Sequence, residues 1–189
     1  MTASLVDPQP IRAKTGARPG PVVSRPIHLA ASVASLTLVP SGLWRIALAF
    51  GAPAGFAAGT PLHADNFPGA LSFYLIGLSV VAELLGLLTL GLVQHWGEVL
   101  PSWVPLLGGR RIPVLAAVVP AALGAAAVTL ISVWGAWTWN GPDNMGHPDA
   151  PDGIAYWVMT VCYAPLLLWG PLLAVVTAAY YRRRRHQSR

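Results

Sequence analysis

The sequence predicts an all-α membrane protein, a bundle of four transmembrane helices with both termini in the cytoplasm. Three observations predict it: a shortage of charge, four apolar runs of membrane-crossing length, and basic residues confined to alternate connections. Only 10% of the 189 residues are charged and 54% are hydrophobic, whereas a soluble domain carries about a quarter charged residues. So little polar material cannot cover a water-facing surface, and a second, apolar phase is implied.

The apolar runs are expected at residues 27–50, 71–93, 113–137 and 154–181. Each reaches the roughly 20 residues that cross a hydrocarbon core of about 30 Å at 1.5 Å per residue. In lipid the backbone must satisfy its own hydrogen bonds, so helices are the expected form. Span one is interrupted only by Arg45 and span two only by Glu83, while spans three and four are uncharged. A secretory signal peptide competes for the first run, with Ala52-Pro53-Ala54 imitating a cleavage site. The run is longer than an ordinary signal core and contains Arg45, so a retained helix is expected.

The connections set the orientation. Arg12, Lys14, Arg18 and Arg25 precede span one, Arg110 and Arg111 lie between spans two and three, and Arg182, Arg183, Arg184, Arg185 and Arg189 follow span four. The connections at 51–70 and 138–153 contain no Lys or Arg. The positive-inside rule then makes both ends cytoplasmic, in a bacterial cell membrane. Residues 1–26, polar and proline-rich, read as a disordered cytoplasmic tail, 27–181 as the transmembrane domain, and 182–189 as a basic cytoplasmic tail. A basic chain can signal nucleic acid. Here the basic residues abut apolar runs, so no nucleic-acid partner is expected. Anionic lipid headgroups are expected at Arg110 and Arg111 and at Arg182, Arg183, Arg184 and Arg185. Trp134, Trp137, Trp139, Tyr156 and Trp157 at one boundary, and Tyr180 and Tyr181 at the other, fit interfacial anchors.

Small and polar residues recur at three- and four-residue spacing, which places them on one face of each helix. They are Thr37, Ser41 and Arg45 in span one; Ser72, Ser79, Glu83 and Gly86 in span two; Ala122, Ala125, Thr129, Ser132 and Ala136 in span three; and Tyr156, Thr160, Tyr163, Gly170 and Thr177 in span four. These stripes should face inward, because association in lipid favours close approach and interhelical hydrogen bonds. Pro40, Pro120, Pro165 and Pro171 should kink their spans.

Arg45 and Glu83 are the candidate binding residues. Each is opposed by about 2.5–3.5 kcal/mol at a helix centre on insertion scales. Their charges are opposite and their helices antiparallel, so an ion pair is one reading, separate bland roles are another, and an ion or substrate pathway is a third. The connection at 140–152 supplies Asp143, Asn144, His147, Asp149 and Asp152, ligand types for a cation but without a recognised metal spacing. They are weak metal candidates, since Pro, Gly, Asn and Asp are also ordinary turn residues. His28 and His95 near the inner ends of spans one and two could be imagined around a haem, but each lies at an interface, and no cofactor is expected. The single cysteine, Cys162, excludes an intrachain disulfide and a Cys-x-x-Cys redox pair.

The segment Trp96-Gly-Glu-Val-Leu-Pro-Ser-Trp-Val-Pro-Leu-Leu-Gly-Gly-Arg-Arg-Ile-Pro113 is too apolar for a free loop and should lie along the cytoplasmic headgroups or against another protein. With its Trp-Gly-Glu, Pro-x-Trp-x-Pro and Gly-Arg-Arg-x-Pro order, it resembles a segment of uncharacterised multi-spanning integral membrane proteins of actinobacteria. Residues 41–51 and 163–185 are similar to segments of the same group. The resemblance implies class and location and carries no activity or catalytic residue. The leading expectation is a non-enzymatic accessory or interaction protein, since no nucleophile–base set or cofactor loop is legible. The alternatives are a small transporter or channel using Arg45 and Glu83, and an enzyme or metal-binding protein using the 140–152 connection.

Overall fold

A computed structural model describes residues 23–94 and 113–187. The tail at 1–22 and the 95–112 connection, with His95, Arg110 and Arg111, lie outside the described residues. Six α-helices make four membrane-length elements: α1 (Arg25–Leu36) and α2 (Val39–Ala49) form span one, α3 (Ala70–Gly91) span two, α4 (Val114–Trp137) span three, and α5 (Gly153–Tyr163) with α6 (Leu166–Gln187) span four. Each is long and apolar enough to cross a membrane, and the helices begin and end within two residues of the expected spans except that α6 runs six residues past 181, to Gln187.

Spans one and four are bent, and proline is the cause in both. Pro40 stands in the first turn of α2 and Pro165 between α5 and α6. A proline nitrogen donates nothing to the carbonyl four residues earlier and its ring crowds that carbonyl. Pro120 and Pro171, by contrast, lie inside continuous helices. At the first bend Thr37 Oγ1 donates to Ala34 O at 2.6 Å and Ser41 Oγ to Leu38 O at 3.0 Å, so hydroxyls occupy carbonyls near the bend.

The spans pack in the order three, four, one, two. α4 lies on α6, α6 on α1, and the α1–α2 pair on α3, while α2 also meets α5. Span one is therefore central: 33% of its most apolar window is buried, against 6% for span three. Two kinds of contact hold the row. Between spans three and four the helices approach through Gly170, where an added Cβ would lie 2.8 Å from Thr129 N, 3.0 Å from Ala125 O and against Thr129 Oγ1. Between spans one and two the contact is polar, as described below.

The first described turn, the end of α3 and the C-terminal half of α6 share one end of the molecule, the basic end. There Ala31, Leu92, Leu173, Val176 and Tyr180 form a buried cluster, against which Val23 packs. Tyr180 differs from its reading as an interfacial anchor: it is 1% exposed, with the Arg183 and Arg184 guanidiniums 5.6 and 5.9 Å from its ring centre. Arg183 Nη2 donates to Leu92 O at 3.2 Å, placing positive charge on the carbonyl end of α3.

At the opposite, loop end the two described connections are tied together. Ala57 N donates to Asp149 O at 3.1 Å. Gly55, at φ +82°, passes so close to α5 that a Cβ would lie 2.7 Å from Ala155 Cβ. Both the backbone sign and the close approach require glycine there. Ala54 and Phe67 fold back onto Leu48 and Leu75 and close this end of spans one and two.

Candidate functional site: a polar seam between spans one and two

The inward stripe of α3 meets α1 and α2 in an antiparallel register that can be followed turn by turn. At the loop end Ser72 Oγ donates to Ala49 O at 2.8 Å. One to two turns deeper Arg45 Nε donates to Ser79 Oγ at 3.1 Å, and Ser79 Oγ passes its own hydrogen to Leu75 O at 2.8 Å. Next, Glu83 lies against α2 at Gly42, where an added Cβ would stand 3.0 Å from Oε1. Deeper still Ser35 Oγ donates to Gly86 O at 2.6 Å. Ser72, Ser79, Gly86 and Thr89 are buried on α3, as are Thr37, Ser41 and Arg45 opposite. The expected stripes of spans one and two therefore do face each other.

Arg45 and Glu83 share this seam without forming an ion pair. The only ion pairs within 4.0 Å among the described residues are His63–Asp65 and His147–Asp149. The register explains the separation. Arg45 sits level with Ser79, and Glu83 lies one helical turn, about 6 Å, further toward the basic end. Arg45 is 7% exposed and held from two sides, by the Ser79 hydroxyl and by the face of Tyr163 in α5, 5.9 Å from the ring centre. A guanidinium over an aromatic face is attracted by the ring's quadrupole, more so when desolvated. Glu83 is half-buried and makes no hydrogen bond among the described residues. Its carboxyl lies beside the first turn of α2, at Gly42.

Of these contacts, Tyr163 as a partner of Arg45 was hidden in the sequence. Its place in the stripe of span four was visible, but the bend at Pro165 decides that α5 turns toward α2. Trp139, expected as an interfacial anchor, stands just past the end of α4 and has a partner in span four. Its Nε1 donates to Thr160 Oγ1 at 3.1 Å, and its ring lies 5.9 Å from that of Tyr163 at 40°.

The 140–152 connection does not gather its candidate ligands. Among the described residues no three His, Cys, Asp or Glu side chains stand together. His147 Nδ1 instead accepts from Asp149 N at 3.1 Å, a local turn, with Asp149 Oδ2 3.6 Å from the same nitrogen. Met145 and Pro151, rather than acidic residues, are the buried members of the connection. Asp143 and Asp152 are exposed, and His28 is exposed on α1. No family model, curated protein or solved structure matches the chain.

Proposed function

We propose that the chain is a non-enzymatic integral membrane protein of a bacterial cytoplasmic membrane that passes protons along the seam between spans one and two, with Glu83 as the carrier. Both termini lie in the cytoplasm in this reading, where Arg182, Arg183, Arg184 and Arg185 meet anionic headgroups. The observation that carries it is the position of Glu83. Its carboxylate lies at the bend of a membrane helix without a hydrogen-bond partner among the described residues, in a seam otherwise lined by hydroxyls. An intramembrane carboxyl is opposed by several kcal/mol unless a function or a partner retains it. Arg45 supplies a fixed positive charge one turn away. That charge opposes the passage of any free cation, whereas a proton carried covalently on the Glu83 carboxyl moves as part of a neutral group.

The test is reconstitution into liposomes that contain a pH-sensitive dye, with a potassium diffusion potential as driving force. Proton entry should exceed that of protein-free liposomes, and Glu83→Gln should return it to that level while eluting as folded protein in mild detergent. Flux equal to protein-free liposomes, or undiminished in Glu83→Gln, overturns the reading.

A second reading, an accessory subunit, is favoured by the exposure of span three, whose apolar window is 6% buried. It requires no proton flux and a stable larger assembly in mild detergent.

A further inference from the structure

The bend at Pro165 has a second consequence. It swings α5 away from the second half of α4 and leaves a recess of about 440 Å³ between them, lined at the loop end by Trp139, Asn140 and Thr160 and deeper by Ser132, Gly135 and Tyr163. That volume lies within the range of small-molecule sites, which are mostly apolar with a few convergent polar groups. We propose that this recess binds a lipophilic ring compound bearing carbonyl oxygens, of the quinone type, entering from the bilayer with its ring toward the loop end.

The lining argues for that chemistry over others. Trp139 Nε1 and Thr160 Oγ1 on the recess already donate, to Thr160 Oγ1 and Tyr156 O, but three other groups have donor capacity to spare. Asn140 Oδ1 is taken by the Tyr156 hydroxyl at 2.8 Å, which leaves the Asn140 amide nitrogen to donate. Ser132 Oγ reaches Leu166 O only at 3.5 Å, a long bond it can exchange for a better one. The Tyr163 hydroxyl has no hydrogen bond among the described residues. Behind Tyr163 stands the Arg45 guanidinium, 5.9 Å from the ring centre. The spare donors at Asn140, Ser132 and Tyr163, with positive charge behind them, favour a ligand with acceptor oxygens. The Trp139 and Tyr163 rings, 5.9 Å apart and tilted by 40°, offer aromatic faces against either of which a conjugated ring can stack. Toward the membrane middle the recess becomes apolar, with Ile131, Leu166 and Leu167, suiting a hydrocarbon tail.

The experiment is photolabelling of the full chain in liposomes with a decyl benzoquinone carrying a diazirine on its tail, followed by peptide mapping. A diazirine-bearing phosphatidylcholine serves as the comparison probe. Labelling by the quinone should saturate, map to residues 131–140 and 160–167, and be lost when unlabelled decyl benzoquinone is added in excess. Gly135→Leu should abolish that competed labelling by filling the recess. It should still fold, because a Cβ at Gly135 meets nothing within 4 Å. Tyr163→Phe, which removes the donor and keeps the ring, should weaken competition without abolishing it. Labelling at these peptides that is not competed, or that the phosphatidylcholine probe reproduces, assigns the recess to bulk lipid and overturns the proposal. So does competed labelling that Gly135→Leu leaves intact.

Discussion

The two helix pairs of this molecule are joined by different physics. Spans three and four meet through Gly170, with backbone atoms of α4 where a side chain would be. Spans one and two meet through hydroxyls, a guanidinium and a carboxylate strung along one seam. In lipid there is no hydrophobic drive to bring helices together, so close van der Waals approach and interhelical hydrogen bonds are the available means. Between spans three and four close approach at Gly170 is joined by hydrogen bonds at the loop end, Trp139 to Thr160 and Ser132 to Leu166, whereas the seam of spans one and two also holds two ionisable groups. The difference teaches that ionisable groups are not needed simply to join two spans, because spans three and four pack without them.

Gly170→Ala should have the largest effect. The new Cβ would meet Thr129 N at 2.8 Å and Ala125 O at 3.0 Å, and backbone atoms of a helix cannot rotate aside. Overpacking of this kind costs about 1–3 kcal/mol or more. Folded protein surviving a heating series on size exclusion should fall well below that of the parent. An unchanged profile would show that spans three and four are not held by this approach.

Ser79→Ala comes next. It leaves the buried Arg45 Nε without its acceptor, a loss of about 1–3 kcal/mol, while Ser79→Thr, which keeps the hydroxyl, should recover most of it. Denaturation in detergent mixtures followed by circular dichroism reads the difference. If the two variants behave alike, the Arg45–Ser79 bond contributes nothing.

Gly86→Ala tests the contrast at a second glycine. Its new Cβ would meet Leu38 Cδ1 at 2.8 Å, the end of a flexible side chain, and Ser35 Cα only at 3.6 Å. Alanine gains about 0.8–1 kcal/mol in helix propensity over glycine, so the net change should stay within about 1 kcal/mol of neutral. A loss as large as that of Gly170→Ala would mean the polar seam depends on close packing as much as its uncharged counterpart.

The smallest effect is expected from Glu83→Gln, which breaks no hydrogen bond among the described residues and should shift stability by under about 0.5 kcal/mol. The double exchange of Arg45→Glu with Glu83→Arg sharpens the point. A paired arrangement would be restored by the double exchange, whereas residues one turn apart should each fail separately and not rescue each other.

Much of the fold was legible because the bilayer imposes length and apolarity on each span in turn, and both can be read along a chain. The inward stripes of spans one and two were legible for a similar reason: residues at spacing three, four and seven share a helix face wherever that helix lies. Arg45 and Glu83 stood out because charge in an apolar run is rare. Their relation to each other was not legible, since it depends on a one-turn offset between antiparallel helices that boundaries uncertain by a few residues cannot resolve. Tyr163 and Trp139 were invisible as partners because the direction of α5 is set by a bend at Pro165, whose angle follows from what α5 packs against.

The sequence by itself determined that the described residues form four apolar helical spans, roughly where each lies, and which face of span two turns inward, because periodicity and hydropathy are local properties. Only the tertiary structure decided that span one is central, that Arg45 takes Ser79 and Tyr163 as partners in place of Glu83, and that a recess opens between α4 and α5. Those outcomes depend on register and on the direction of two proline bends, which are settled by contacts between residues far apart in the chain.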